Sequence, residues 1–182
     1  GIVLDVIAKP KKGHKLTLGT SNPASCKESD GGVARNIAET LGRLGSQPLL
    51  FSAVGNDLRG SAILNRLEND CGILFEMDTM QRIDGANTAT YLAVLDDDGD
   101  LHTACADMEV LDRIRPPPLE LLKQSRMLVM DANPPVEVIE EAAARACSVG
   151  VPVFFEPTSV PKAMQAAKHA TFLSYVSFAS PN

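Results

Sequence analysis

Short, β-branched apolar runs alternate along this chain with stretches whose apolar residues recur at helical spacing, and this alternation most restricts the fold. Residues 2–7 read as a strand whose one polar interruption is Asp5. Gly31 and Gly32 open a helix through about Leu44, with Val33, Ile37, Leu41 and Leu44 on one face and Gly45 as its stop signal. Residues 49–54 form the next strand. Asp57 is placed as the N-cap of a helix to about Cys71, in which Ile63, Leu64 and Leu67 keep the helical period.

The period then changes. Residues 88–95 are β-rich, Asp97-Asp98-Gly99 turns the chain, and residues 101–105 return, which predicts a hairpin and not another strand–helix unit. After Pro116-Pro117-Pro118 the alternation resumes. Strands are expected over 127–130, 151–155 and 175–178, and helices over 136–148 and 161–168. Such a series predicts an α/β fold: a mostly parallel sheet between helical layers, with the hairpin as an addition.

The chain opens directly on a strand and stops at Ser180-Pro181-Asn182, just after the last expected one. In a doubly wound sheet the turn after a strand's carboxyl end is where ligands sit. The expectation is therefore an α/β domain lacking its natural start and its C-terminal part.

Charge narrows the partners. A net charge of −6 argues against binding a phosphate backbone, and with 4% aromatic residues and no Trp there is little for single-stranded bases to stack on. A small molecule is the expected partner, with neither nucleic acid nor membrane, since no apolar run approaches a membrane span. Cys26, Cys71, Cys105 and Cys147 form no CxxC pair, so free thiols in a reducing, cytoplasmic setting are expected, with Cys26 as a small packing residue.

Several residues carry possible chemistry. A buried, unpaired carboxylate in an apolar strand is costly, so Asp5 either faces a cleft, where it accepts hydrogen bonds from sugar hydroxyls, or faces water on an edge strand. Gly31-Gly32 either lets backbone approach a ligand beside a helix N-terminus or simply makes a turn. Asn36 lies one helical turn after Gly32 and can point the same way. The segment matches neither GxGxxG nor GxxxxGK[ST]. Asp96, Asp98 and Asp100 lack the Gly and Glu positions of a calcium loop and read as a solvated turn. Lys9, Lys11, Lys12 and Lys15 read as a solvated loop or, alternatively, a contact to a phosphate. His14, His102 and His169 lack metal-ligand spacing.

Gly31-Gly32-Val33-Ala34-Arg35-Asn36-Ile37-Ala38, then Leu41, Leu44-Gly45, Val54-Gly55-Asn56-Asp57 and Gly60, resembles the N-terminal signature of the PfkB, or ribokinase-like, sugar and nucleoside kinases. The Asp5 strand, the hairpin, Asp131-Ala132-Asn133-Pro134 and Ser180-Pro181-Asn182 follow in that family's order, so the resemblance spans nearly the whole chain. The wording around Gly31, together with Phe154-Phe155-Glu156-Pro157-Thr158-Ser159-Val160, is most similar to pseudouridine kinases.

The resemblance implies a three-layer ribokinase-like fold with a small β lid, assigned to segments around 14–20 and 74–105. It implies ATP- and Mg2+-dependent phosphorylation of a sugar or nucleoside, pseudouridine first among them. Asp5, Gly31, Gly32, Asn36 and Asn133 would bind substrate, Glu156 would lie near the Mg2+, and Asn182 would help arrange the nucleotide. A homodimer through the lid is also implied. The family's catalytic Asp belongs to a Gly-Ala-Gly-Asp motif, and no such stretch occurs in the 182 residues. No catalytic residue is therefore assigned, and the chain alone is expected not to turn over. The alternative is a silent nucleoside-binding or dimerisation module.

Overall fold

Neighbouring residues on two strands bury into different cores, and this sets the layering. Leu4 and Val54 join a cluster with Ala38, Ile63, Leu64 and Leu67, whereas Val3 and Ala53 join Val110, Leu111 and Ile114. Side chains of successive strand residues point to opposite faces. The two clusters therefore lie on opposite faces of these two strands. Ile63 is completely buried, and burial of such a side chain contributes about 1.5–3 kcal/mol.

The computed structural model describes residues 1–71, 73 and 79–180. The first elements are β1 (Val3–Pro10), β2 (Ala24–Gly31), α1 (Val33–Arg43), β3 (Ser52–Gly55) and α2 (Leu58–Cys71). β4 (Met80–Ile83) pairs parallel with β3. β5 (Thr90–Leu95) and β6 (Leu101–Asp107) form the expected antiparallel hairpin. Two short helices, α3 (Glu109–Asp112) and α4 (Leu119–Lys123), lead into β7 (Leu128–Asp131), α5 (Val136–Ser148), β8 (Val153–Glu156), α6 (Val160–Ala166), α7 (Ala170–Tyr175) and β9 (Phe178–Ala179).

β7, β8 and β9 are parallel, in that order. α5 sits against them through Ile139, Ala142, Ala143 and Ala146, in one core with Val153, Phe155 and Phe172. The alanines bring the helix close to the strands. This is an α/β fold with mostly parallel strands.

The hairpin is half of a larger unit. β1 pairs parallel with β5 and antiparallel with β2, giving a four-stranded sheet in the order β2-β1-β5-β6. Residues 14–20 connect β1 to β2 and contain no strand. Of the segment 74–105, residues 74–78 lie outside the described residues.

Three expectations need correcting. Cys26 is exposed on β2 and is not a packing residue. The strand expected over 175–178 gives way to the end of α7, whose Phe172 is fully buried edge-on against Phe155 with centroids 4.9 Å apart, and the strand starts only at Phe178. The basic connection expected from Lys9 begins later, because β1 runs on to Pro10.

Candidate functional site

Asp5 stands mid-way along β1, between Ser29 of β2 and Tyr91 of β5. It is half-buried. Burial pushes its carboxyl above the usual carboxylate range; the Arg35 guanidinium opposes the rise and Asp30 adds to it.

Both glycines answer to packing against the protein itself. A Cβ on Gly31 would lie 2.0 Å from Asp5 Oδ2. Gly32 has φ +97°, and a Cβ there would lie 2.1 Å from the carbonyl oxygen of Gly1. The pair thus brings the N-terminus of α1 close to the start of β1 and to the Asp5 carboxylate.

Asn36 follows on α1. Its N–H donates to Gly32 O at 2.9 Å, closing the first turn, and its exposed side-chain Oδ1 accepts from Arg35 Nη1. Arg35 is buried and also donates to Asp30 O at 2.9 Å, so one guanidinium ties the end of β2 to the Asn36 amide.

Asp131, at the carboxyl end of β7, was not singled out by sequence as a site residue. It is buried, and its Oδ2 accepts from Ala34 N–H of α1 at 2.9 Å, from Asn133 Nδ2 at 2.9 Å and from the Gly1 nitrogen; Oδ1 accepts from Asn133 N–H at 3.0 Å. Burial alone would raise its carboxyl, while the Asn133 side-chain and backbone donors work to lower it. An aspartate closing an apolar strand was the available signal, and only the fold shows what it bonds.

Asn133 is engaged from both ends of its amide. Nδ2 donates to Asp131 and Oδ1 accepts from Lys162 Nζ at 2.6 Å. Lys162, in the first turn of α6, was also missed. With Asp112, Glu137 and Gln165, Asn133 and Lys162 line a cavity of about 260 Å³ beyond β7 and β8.

Glu156 ends β8, half-buried, and its Oε2 accepts from Thr158 N–H at 3.0 Å. Thr158 has φ +67°, a left-handed backbone rarely adopted by a β-branched residue. Its Oγ1 accepts from Ala132 N–H at 3.1 Å, which ties the loop after β8 to the loop after β7. Strained backbone of this kind gathers at functional sites. Asn182 lies outside the described residues.

Asp57 does cap α2: Oδ1 accepts from Gly60 N–H at 2.7 Å. It also accepts from Thr88 N–H at 2.8 Å and Thr88 Oγ1 at 2.7 Å, fastening the start of the hairpin to β3 and α2. Burial raises its carboxyl, and these donors more than reverse that.

Among the described residues no three His, Cys, Asp or Glu side chains converge on a metal position, and no helix is long and apolar enough to cross a membrane. The structure brings Asp5, Gly31 and Gly32 together, and with them Arg35 and Asn36. It joins α1 to Asn133 and Lys162 through Asp131. Glu156 reaches that second group through Thr158. The chemistry on offer is carboxylate and amide hydrogen bonding, with the Lys162 ammonium beside the Asn133 amide.

Comparison with known proteins gives this arrangement a lineage. The pfkB family carbohydrate kinase description matches residues 1–182. A pseudouridine kinase of Escherichia coli K12 is 35% identical over 158 residues, covering 84% of this chain and 48% of that protein. A carbohydrate kinase from Agrobacterium tumefaciens superposes with a TM-score of 0.84 at 25% identity, over 98% of this chain and 57% of that one. An Arabidopsis thaliana ribokinase, solved with ribose and ATP, has the same fold with a TM-score of 0.79 at 19% identity, over 100% of this chain and 57% of that one. The chain spans about half the length of the curated relatives it matches. These residues therefore belong to the pfkB family of carbohydrate kinases.

Proposed function

We propose that the chain is the substrate-holding part of an ATP- and Mg2+-dependent kinase that phosphorylates a nucleoside, with pseudouridine as the substrate. The observation carrying this reading is the close packing of the Asp5 carboxylate on Gly31 beside the N-terminus of α1. It offers a sugar an acceptor for its hydroxyls next to backbone donors. The choice of pseudouridine draws on the kinase of that name in Escherichia coli.

In this reading Asp5, Gly32 and Asn36 hold the ribose. The four-stranded sheet is the lid, through which two copies pair in the cytoplasm. Glu156 would hold Mg2+: one of its oxygens accepts from Thr158, and the other has no hydrogen bond among the described residues. A lone carboxylate suits Mg2+, which keeps several waters and is completed by phosphates. Bound there, the ion would supply charge neutralisation to ATP, with Asn182 near the phosphates.

Phosphoryl transfer also needs a base for the attacking hydroxyl. The family's Gly-Ala-Gly-Asp stretch is absent from these 182 residues. The alternative reading is a silent nucleoside-binding or dimerisation module. The test is a thermal-shift series with pseudouridine, ribose and adenosine, followed by a phosphorylation assay with ATP and Mg2+. Stabilisation by pseudouridine without turnover is expected of this chain. A protein extended to include a Gly-Ala-Gly-Asp stretch turns over if the kinase reading is right and stays inert if the silent-module reading is right. No shift with any of the three ligands overturns the sugar site.

A further inference from the structure

Lys162 projects from the first turn of α6 to the loop after β7, where its ammonium donates to Asn133 Oδ1 at 2.6 Å. An ammonium carries three donors. Among the described residues no other hydrogen bond is made by this one. The side chain is half-buried, so its remaining donors are partly withdrawn from water beside the cavity of about 260 Å³. That volume exceeds the roughly 30 Å³ share of one water many times over, yet falls below the range of whole-ligand pockets, about 300–1,000 Å³. It suits one part of a ligand.

We infer that Lys162 contacts the substrate, donating a hydrogen bond to a neutral oxygen acceptor such as a ring carbonyl of a nucleobase, and that Asn133 is the positioning residue that aims it. The inference rests on the sugar-site reading above and adds what that reading leaves open, the recognition of the part beyond the sugar.

Charge decides against an anion. Asp112 and Glu137 line the same cavity, and the ionised Asp131 stands directly behind Asn133. One ammonium among three carboxylates leaves a negative surround, which a phosphate would enter against repulsion. A carbonyl oxygen accepts from the ammonium without that cost. Burial pushes the Lys162 ammonium below its ordinary range, while Asp131 and Asp112 work to keep it charged.

Position supports the same choice. Ala34 N–H of α1 bonds Asp131, Asp131 bonds Asn133, and Asn133 bonds Lys162. One hydrogen-bonded chain therefore links the helix N-terminus at the proposed ribose site to the ammonium. Asn133 already restrains the long lysine side chain, which reduces the entropy lost when a ligand engages it.

The test is calorimetric titration of the 182-residue protein with pseudouridine and with ribose, comparing wild type, Lys162→Met and Lys162→Gln. Met keeps the stem and removes the donors; Gln restores a neutral donor. A lost hydrogen bond from a charged donor corresponds to about tenfold or more in affinity. The expected result is that loss for pseudouridine with Met, partial recovery with Gln, and ribose affinity within about twofold throughout, at unchanged unfolding midpoints of the free proteins. Pseudouridine affinity unchanged in Lys162→Met overturns the inference and leaves the sugar site standing. Equal losses for both ligands also overturn it, placing Lys162 at the sugar or in the fold. Preferential binding of pseudouridine 5′-phosphate that Lys162→Met abolishes assigns the ammonium to an anion, again against the inference. If wild type binds neither ligand, the sugar-site reading falls and this one with it.

Discussion

The carboxylate of Asp5 fills the space a side chain at position 31 would need: a Cβ on Gly31 would come within 2.0 Å of Asp5 Oδ2. Gly31→Ala must therefore displace the carboxylate or separate β2 from β1. Overpacking of this kind costs about 1–3 kcal/mol. The expected outcome is a lower unfolding midpoint together with loss of ligand-induced stabilisation, read by thermal shift with and without pseudouridine. Gly32→Ala adds a left-handed penalty of about 1–2 kcal/mol to its clash with the Gly1 carbonyl and is expected to be the more destabilising change.

Asp5→Asn separates stability from binding. The folded carboxyl is raised above its unfolded value of 3.8, because burial disfavours its charge. The unfolded chain therefore releases this proton at lower pH than the folded one, and stability falls as pH rises from 3.8 through the raised value. Above that window the ionised Asp5 is a standing cost. The isosteric amide removes it, so Asp5→Asn is expected to unfold at a higher temperature than wild type at pH 7 while losing ligand stabilisation, and to show a flatter pH profile across that window.

Asp131→Ala removes the acceptor shared by Ala34 N–H and the Asn133 amide. A fully buried donor left unpaired costs about 1–3 kcal/mol, and these donors are half-buried, so a total loss of about that size is expected in urea unfolding. The Asn133 donors favour the charged carboxylate, so their contribution is present above the unfolded value of 3.8 and is lost as pH falls below it. Wild type should therefore lose stability over that acid range, and Asp131→Ala should lose less.

Thr158 combines a left-handed backbone with a hydroxyl that accepts from Ala132 N–H. Thr158→Val keeps the β-branch and removes the acceptor, so a loss of about 1–3 kcal/mol is expected in denaturant unfolding. Thr158→Ser keeps the acceptor and relieves the branch, and it should match or exceed wild type. Equal stability of Val and Ser variants would show that the hydroxyl does not tie the two loops.

Legibility in the sequence followed apolar period. The helix at 136–148 was read with its observed bounds because Val136, Ile139, Ala143 and Ala146 bury one face. The hairpin was legible through its Asp-rich turn, where Asp96 Oδ1 accepts from the Gly99 and Asp100 amides at 2.9 Å. β2 was not legible: Ala-Ser-Cys-Lys-Glu-Ser-Asp has no apolar face, since it is an edge strand that is largely exposed. α7 is not legible, only its last residue falling in the strand expected over 175–178, because Phe172 owes its burial to Phe155, a contact no local pattern encodes. In the site, Asp5 and the glycines stood out as local oddities. Asp131 and Lys162 did not, because each acquires meaning only from partners far away in sequence: Ala34 for one, Asn133 for the other.

The proposed function requires this chain to hold a nucleoside sugar against Asp5. The decisive measurement is titration calorimetry of pseudouridine into wild type and Asp5→Asn at pH 7. Saturable binding by wild type, weakened about tenfold or more in a folded Asp5→Asn protein, is the predicted result. Equal affinities in the two proteins, or no heat of binding to wild type, would contradict it.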